Sequence, residues 1–188
     1  MTTYSELIRT ENARLTEILE TVEDWNAPSP CTGWTVRDVL DHLIDTERDF
    51  LSQHDIDTGS RPDTAQDPAG AWKTHASRVQ HVLDTAELAE TSFDGFFGPT
   101  TVGATLATFY GFDLLVHRWD IARGAGRDTK FNESELDLIE KSLEGFGENL
   151  YMEGICRPAL PAPADADRAT RLLARMGRDA GWQPAVNA

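Results

Sequence analysis

The sequence predicts an all-α protein, and three observations support this fold class. Apolar residues recur every three or four positions through most of the chain, whereas the period-two alternation of a strand is weak. The periodic segments begin at residues that cap helices and stop at glycine or proline. Four of these segments are long and are separated by loops of about ten residues, which is typical of a four-helix bundle. Two loops are long enough to cross over the bundle, so the helices need not run alternately up and down.

The first two helices are predicted from apolar stripes and a capping signal. Residues 3–24 carry leucine, isoleucine and valine at helical spacing, with polar residues on the opposite face. Prolines and a glycine in residues 26–33 then end regular structure. Thr35 and Asp38 have the spacing of a capping box, in which each side chain accepts a hydrogen bond from the other residue's backbone N–H. A second helix therefore starts at Thr35 and runs to about residue 54.

The third and fourth helices follow two polar or glycine-rich connections. Residues 55–66 are predicted to form a loop, after which Asp67 and a proline start a helix that runs to about residue 86. Residues 91–100 are rich in phenylalanine and glycine and are predicted to form a structured loop. Thr101 opens the fourth helix, which stops at the glycines of residues 124–126.

The remainder of the chain is predicted to add helix to the same domain. Asn132 starts a fifth helix that runs to about residue 146, and a short helix lies around residues 165–177, after three prolines. A chain of 188 residues is long enough for one substantial core. We therefore predict a single domain, residues 1–188. Residues 1–126 form the bundle core with the candidate site, and residues 127–188 form the additional helix and a C-terminal extension.

The composition excludes several classes of partner. The chain has 17 basic and 32 acidic residues, a formal net charge of −15, which repels both nucleic acid and anionic membranes. No apolar run approaches the roughly 18 residues of a membrane span. The N-terminus lacks the basic start and apolar centre of a signal peptide, so we expect a cytoplasmic protein. The two cysteines, Cys31 and Cys156, are too few for a disulfide framework or a cysteine-based zinc site, and free thiols are expected.

The fourth helix carries the most informative feature of the sequence. Asp113 and His117 are four residues apart in an otherwise apolar stretch, so they share one helix face with Leu106 and Tyr110. An ionisable pair that faces a core costs several kcal/mol unless something compensates it, and a metal ion would do so. His42, at the edge of the apolar stripe of the second helix, is the predicted third ligand.

Two imidazoles and one carboxylate form the protein half of a catalytic zinc site with vacant positions. The same donors suit iron(II), and nickel and manganese stay open. A metal-free bundle, with these side chains paired to one another, is the alternative. His54, His75 and His81 are predicted to be solvated. Further residues are predicted to line the pocket or to contact the ligands: Thr46, Glu47, Tyr110, Asp120 and Arg123. For Asp120 and Arg123 an ion pair that holds the helix end is an equal alternative.

Two long motifs give the chain a family resemblance. Residues 30–43, PCTGWTVRDVLDHL, resemble the signature of the mycothiol-dependent maleylpyruvate isomerase N-terminal domain family, part of the DinB/YfiT-like metalloprotein superfamily. Residues 115–126, LVHRWDIARGAG, match a second signature of that family. The ending, residues 161–166 and 171–179, resembles the closing segment of an actinobacterial metal-binding subgroup.

The resemblance implies a DinB-like four-helix bundle with long crossover loops and a divalent metal, zinc first, held by His42, Asp113 and His117. The isomerase motif has glutamate where this chain has Asp113. The resemblance also implies mycothiol, or a similar small thiol, as a cofactor. The expected function is a metal-dependent thiol transferase or isomerase that acts on a small electrophile. Alternatives are a metal-containing protein that binds or sequesters a small molecule, and a hydrolase in which Glu47 could serve as general base. A homodimer is expected from the superfamily, and Phe93, Phe96 and Phe97 could form its contact or could pack on the bundle.

Overall fold

The computed structural model describes residues 3–152 and 155–184. Within them the protein is mostly helical, with one small antiparallel sheet. None of the described helices combines the length and the apolarity that a membrane crossing requires. The elements in chain order are α1 (Tyr4–Leu19), α2 (Val36–Gln53), α3 (Pro68–Asp84), α4 (Ala86–Ala89), β1 (Ser92–Gly95), β2 (Gly98–Thr101), α5 (Val102–Thr105), a π-helical turn (Leu106–Tyr110), α6 (Gly111–Gly124), α7 (Glu133–Phe146), a 3₁₀ turn (Gly147–Tyr151) and α8 (Arg168–Arg175).

The helix starts lie where the sequence places them because the caps are local. The side chain of Thr35 accepts a hydrogen bond from the backbone of Asp38, and Asp38 accepts one from the backbone of Thr35, which completes the predicted capping box. Asp67 caps α3, and Asn132 forms a further capping box at α7. The first helix ends at Leu19 rather than at residue 24, because the backbone N–H groups of Thr21 and Val22 donate three residues back, to Ile18 and Leu19, as in a turn.

The helix α6 lies at the centre of the fold. It packs against α1 and α2, and α3 packs against both of those helices. Apolar side chains from these four helices form one buried cluster, which includes Leu15, Leu40, Trp72, Leu114 and Ile121. This packing places the face of α2 that carries His42 beside α6.

The C-terminal elements cover another side of α6. Leu115 and Trp119 of α6 pack with Ile139 of α7 and Leu172 of α8 in a second buried cluster. Residues after 126 therefore share a core with the helix that carries Asp113 and His117. This contact brings the end of α8 close to the candidate site.

Residues 91–100 form a hairpin rather than the predicted loop. The strands β1 and β2 pair antiparallel, with Ser92 opposite Thr101 and Gly95 opposite Gly98. Gly98 has a φ of +106°, a conformation that favours glycine, and this permits the tight turn. Each strand has four residues, too few to give a readable alternation of polar and apolar positions.

The predicted fourth helix is interrupted by the π-helical turn. The N–H of Gly111 donates to the carbonyl of Leu106, five residues back, so the turn contains one residue more than an α-helical turn. Leu106 is fully buried in an apolar cluster with residues of α3, and Tyr110 packs against the same cluster. Tyr110 also lines a cavity, together with Asp113 and His117.

The prediction that His75 is solvated is wrong. His75 is fully buried in α3, and its Nε2 lies 2.6 Å from Oε2 of Glu47 on α2. A buried imidazole needs a polar partner, and the carboxylate of the neighbouring helix provides one. His81 is exposed, as predicted, while His54 is half-buried against the rings of Phe50 and Phe93.

Candidate metal centre

The three predicted ligands lie together where α2 packs on α6. Oδ2 of Asp113 lies 3.2 Å from Nε2 of His42, and Oδ1 of Asp113 lies 3.3 Å from Nε2 of His117. One donor atom from each residue lies within 4.8 Å of the other two. The close approach of the helices depends on Gly124, because a Cβ there would meet Cγ2 of Val36 at 2.5 Å. Two separate helices thus bring three donors to one point.

These donors have the chemistry and the spacing that a divalent cation requires. With metal–ligand distances of about 2.0–2.1 Å, neighbouring ligands of a tetrahedral ion are roughly 3.3 Å apart. Each imidazole approaches its own oxygen of Asp113 at about that separation, and one donor atom from each of the three residues lies within 4.8 Å of the other two. Two neutral imidazoles and one carboxylate leave at least one position of such an ion free for another molecule. The three residues therefore fit the group that they were predicted to hold.

Asp120 fixes the orientation of His117. Its Oδ2 accepts a hydrogen bond from Nδ1 of His117 over 2.9 Å, which leaves Nε2 pointing towards Asp113. A carboxylate on the far nitrogen of a histidine sets the tautomer and strengthens the other nitrogen as a donor. Asp120 is fully buried, and Arg178 donates three hydrogen bonds to its two oxygens over 2.7–3.1 Å.

A second cluster of donor atoms lies behind His117. Cys31, Asp120 and Nδ1 of His117 also come within 4.8 Å of one another. The guanidinium of Arg178 already bonds Asp120 there, and its Nη2 lies 3.8 Å from Sγ of Cys31. A positive charge therefore already balances Asp120, whereas Asp113 meets only imidazoles. The set of His42, Asp113 and His117 is the stronger candidate for a metal ion.

Charge interactions shift the protonation of the two histidine-bound carboxylates. Burial opposes ionisation of Asp113, but His117 and His42 together hold its pKa well below the usual range. Burial likewise opposes the charge on Asp120, and Arg178 and His117 lower its pKa. Both carboxylates are thus ionised at neutral pH. Burial disfavours charge on His117 too, yet Asp113 and Asp120 raise its pKa.

The candidate ligands form one wall of a cavity of about 440 Å³. Trp34 lies over them, with its ring 5.0 Å from that of His42 and 6.3 Å from that of His117. Thr46 and Tyr110 also line the cavity, and so do Cys31 and Cys156, which were expected only to be free thiols. Burial, followed by Glu47 and Asp113, raises the pKa of Tyr110, so its hydroxyl keeps its proton at neutral pH.

Two other predicted site residues lie elsewhere. Glu47 is buried with His75 and does not line the cavity, so it is not placed to act as a general base there. Arg123 donates to the backbone carbonyls of Ala180 and Trp182 and pairs with Asp128. These contacts connect the end of α6 to the C-terminal segment, and among the described residues Asp120 pairs with His117 and Arg178 rather than with Arg123.

Sequence reasoning missed Arg178 and Trp34. Arg178 follows Gly177, whose φ of +70° ends the last helix and turns the chain back towards α6. The partner of Arg178 is 58 residues away in the sequence, so no local pattern connects them. Trp34 belongs to the first family motif, residues 30–43, and this motif is the sequence signal that could have indicated it.

The fold and the site together define a helical protein with a candidate His–Asp–His metal centre in a cavity between helices. The family model of the mycothiol maleylpyruvate isomerase N-terminal domain matches residues 7–122, and the chain belongs to this family. No curated protein and no solved structure matches the chain. The family match contains all three candidate ligands and Asp120, while Arg178 lies beyond it.

Proposed function

We propose that this protein is a thiol-dependent transferase or isomerase that holds a divalent metal at His42, Asp113 and His117 and acts on a small electrophile. The observation that carries the proposal is the convergence of these three donors on the wall of one cavity. Membership of the mycothiol maleylpyruvate isomerase N-terminal domain family supports mycothiol, or a similar small thiol, as the second reactant. The packing of α1, α2, α3 and α6 supports a DinB-like four-helix arrangement.

A bound divalent cation lowers the pKa of a thiol that coordinates it and so supplies a nucleophile at neutral pH. Zinc suits two imidazoles and a carboxylate, and nickel, iron or manganese are the alternatives. The protein's own residues hold and orient this centre. Asp120 keeps the proton of His117 on Nδ1, and Arg178 keeps Asp120 ionised.

The remaining cavity residues shape the space for the two reactants. Trp34 lies against both imidazoles and limits the access of water to them. Tyr110 keeps its hydroxyl proton and is placed at the cavity wall to donate a hydrogen bond to the electrophile. A volume of about 440 Å³ suits a small molecule rather than a polymer.

A conjugation assay tests the proposal. Zinc-loaded protein is mixed with mycothiol and an electrophile, either chlorodinitrobenzene or monobromobimane, and conjugate formation is followed. We expect a rate above that of the metal-free protein. His117→Ala should abolish the excess, and His81→Ala, which changes an exposed histidine of α3, should keep it. No excess rate with a broad panel of thiols and electrophiles would contradict the proposal, and tight ligand binding without product would favour the binding-protein alternative.

A further inference from the structure

A second cavity lies beside the candidate metal centre and is strongly apolar. It has a volume of about 540 Å³ and lies between the hairpin turn, the π-helical turn and the end of α7. None of the described residues that line it is charged, although charged residues make up 26% of the chain. Small-molecule sites in proteins have this size and this predominance of apolar and aromatic walls.

The walls of this cleft include aromatic side chains that folding leaves in water. Phe96 is 73% exposed, Phe97 is 62% exposed and Phe109 is 41% exposed. Phe97 and Phe109 both contact the ring of Phe146 edge to face, so the rings form one group. Adjacent exposed aromatic residues around a concavity mark a place where another molecule is bound.

The apolar cleft, defined as this second cavity, borders the cavity of the metal centre. Four residues line both: Phe109, Tyr110, Phe146 and Ile155. Two of them belong to the π-helical turn, and such turns occur frequently at functional sites. Phe109 and Tyr110 of this turn lie at the boundary of the two cavities, four and three residues before Asp113.

We infer that the apolar cleft binds the apolar, aromatic part of a small molecule whose reactive end reaches the metal centre. The inference rests on the proposed function for the identity of that molecule, which is then an uncharged or weakly charged electrophile with an aryl group. The occupant is a small molecule rather than a second copy of the chain because the aromatic group surrounds a concavity of about 540 Å³ that borders the cavity of the candidate ligands.

Titration with a neutral fluorescent probe, N-phenylnaphthylamine, tests the cleft without any need for turnover. We expect saturable binding of one probe per chain and an increase in Kd of at least about tenfold in Phe97→Glu, which puts a charge in the apolar wall. Leu160→Glu is the matched control, since Leu160 is an exposed apolar residue outside both cavities. Thr108→Trp, which fills the cleft from an exposed position, should also displace the probe.

The probe and the reaction give separable outcomes. Probe binding should persist in metal-free protein and in His117→Ala, so a failed conjugation assay with intact probe binding contradicts only the proposed reaction. With an active enzyme, Phe97→Glu should lower kcat/KM for chlorodinitrobenzene and leave that for the compact iodoacetamide unchanged. Equal probe binding by wild type and Phe97→Glu overturns the inference. The inference is also overturned if the wild-type protein binds no probe and forms a dimer that Phe97→Glu dissociates, because the aromatic residues then form a dimer interface.

Discussion

At the scale of single residues, the two nitrogens of His117 divide the site into two halves. Nε2 faces Asp113 and, beyond it, His42, while Nδ1 faces Asp120 and, beyond it, Arg178. The candidate ligands were predictable from sequence because Asp113 and His117 lie one helical turn apart. Their support was not predictable, because Arg178 reaches Asp120 only through the packing of α8 and α7 on α6.

Asp120→Asn should weaken metal binding by about 10–100-fold, because the amide no longer holds the tautomer of His117 as a carboxylate does. Competition with a chromogenic chelator measures this affinity. Asp128→Asn, which changes a carboxylate that is 74% exposed and paired with Arg123, is the control and should bind metal as wild type does. A folded Asp120→Asn protein with unchanged affinity would show that Asp120 does not position the ligand.

A second buried cluster of charges lies between α1, α6 and α7, away from the cavity. Nη1 of Arg118 lies 3.2 Å from a carboxylate oxygen of Glu11 and 2.8 Å from one of Glu135, and Arg14 pairs with both acids. Burial and the neighbouring Glu135 raise the pKa of Glu11 to about 7, while Arg118 lowers the pKa of Glu135 despite its burial. Two buried carboxylates this close together cannot both ionise freely, even beside two arginines.

Glu11 makes the folded protein more stable at mildly acidic pH. The folded state keeps the proton of Glu11 up to about pH 7, whereas the unfolded chain loses it above about pH 4.5. This contribution is complete below pH 4.5 and is lost as the pH rises to 7, a change of about 1–3 kcal/mol.

Glu11→Gln, which stays neutral, should therefore lose less stability than wild type between pH 5 and pH 8, as measured by urea unfolding. Glu17→Gln on the exposed face of α1 is the control and should behave as wild type does. An identical loss in Glu11→Gln and wild type would contradict the assignment.

At the scale of elements, the sequence predicts helices better than it predicts their interruptions. Caps such as Thr35 with Asp38 depend on residues three positions apart and can be recognised directly. The π-helical turn at Leu106–Tyr110 leaves the apolar pattern nearly helical, and the hairpin strands are too short to show their period. The hairpin and the π-helical turn, which were not predicted, both line the apolar cleft. The spacing of apolar residues in the sequence is least informative for these two elements.

Asp38→Ala should cost about 0.5–2 kcal/mol of stability, because it removes the acceptor for the backbone N–H of Thr35 at the start of α2. Chemical denaturation measures the loss. Asp49→Ala changes an exposed acid further along the same helix and should stay within about 0.5 kcal/mol of wild type. Equal stability of the two variants would mean that the capping box contributes nothing.

At the scale of the whole molecule, residues beyond the family match complete the candidate site. The matched region ends at residue 122, yet Cys156, Met176 and Arg178 line the cavity with the three candidate ligands. Asp120 lies within the matched region, and its buried charge is balanced by Arg178, which lies beyond that region and has a side chain that is 11% exposed. The C-terminal segment is therefore part of the site as well as of the core.

Arg178→Gln should lower the free energy of unfolding by about 3–5 kcal/mol, because it leaves Asp120 buried without its cation. Arg175→Gln changes the last residue of α8, which lies outside the cavity, and should change stability by about 0.5 kcal/mol at most. If the two variants are equally stable, the ion pair does not hold the C-terminal segment on α6.

We propose that His42, Asp113 and His117 together hold one divalent ion. Metal analysis of untagged protein, purified without chelators and dialysed, tests it most directly. We expect about one ion per chain in wild type and in His81→Ala, a reduced content in Asp113→Asn and His42→Ala, and almost none in His117→Ala. Metal content that is unchanged in all three ligand variants, or a wild-type protein that retains no divalent metal when zinc, nickel, iron and manganese are supplied, would contradict it.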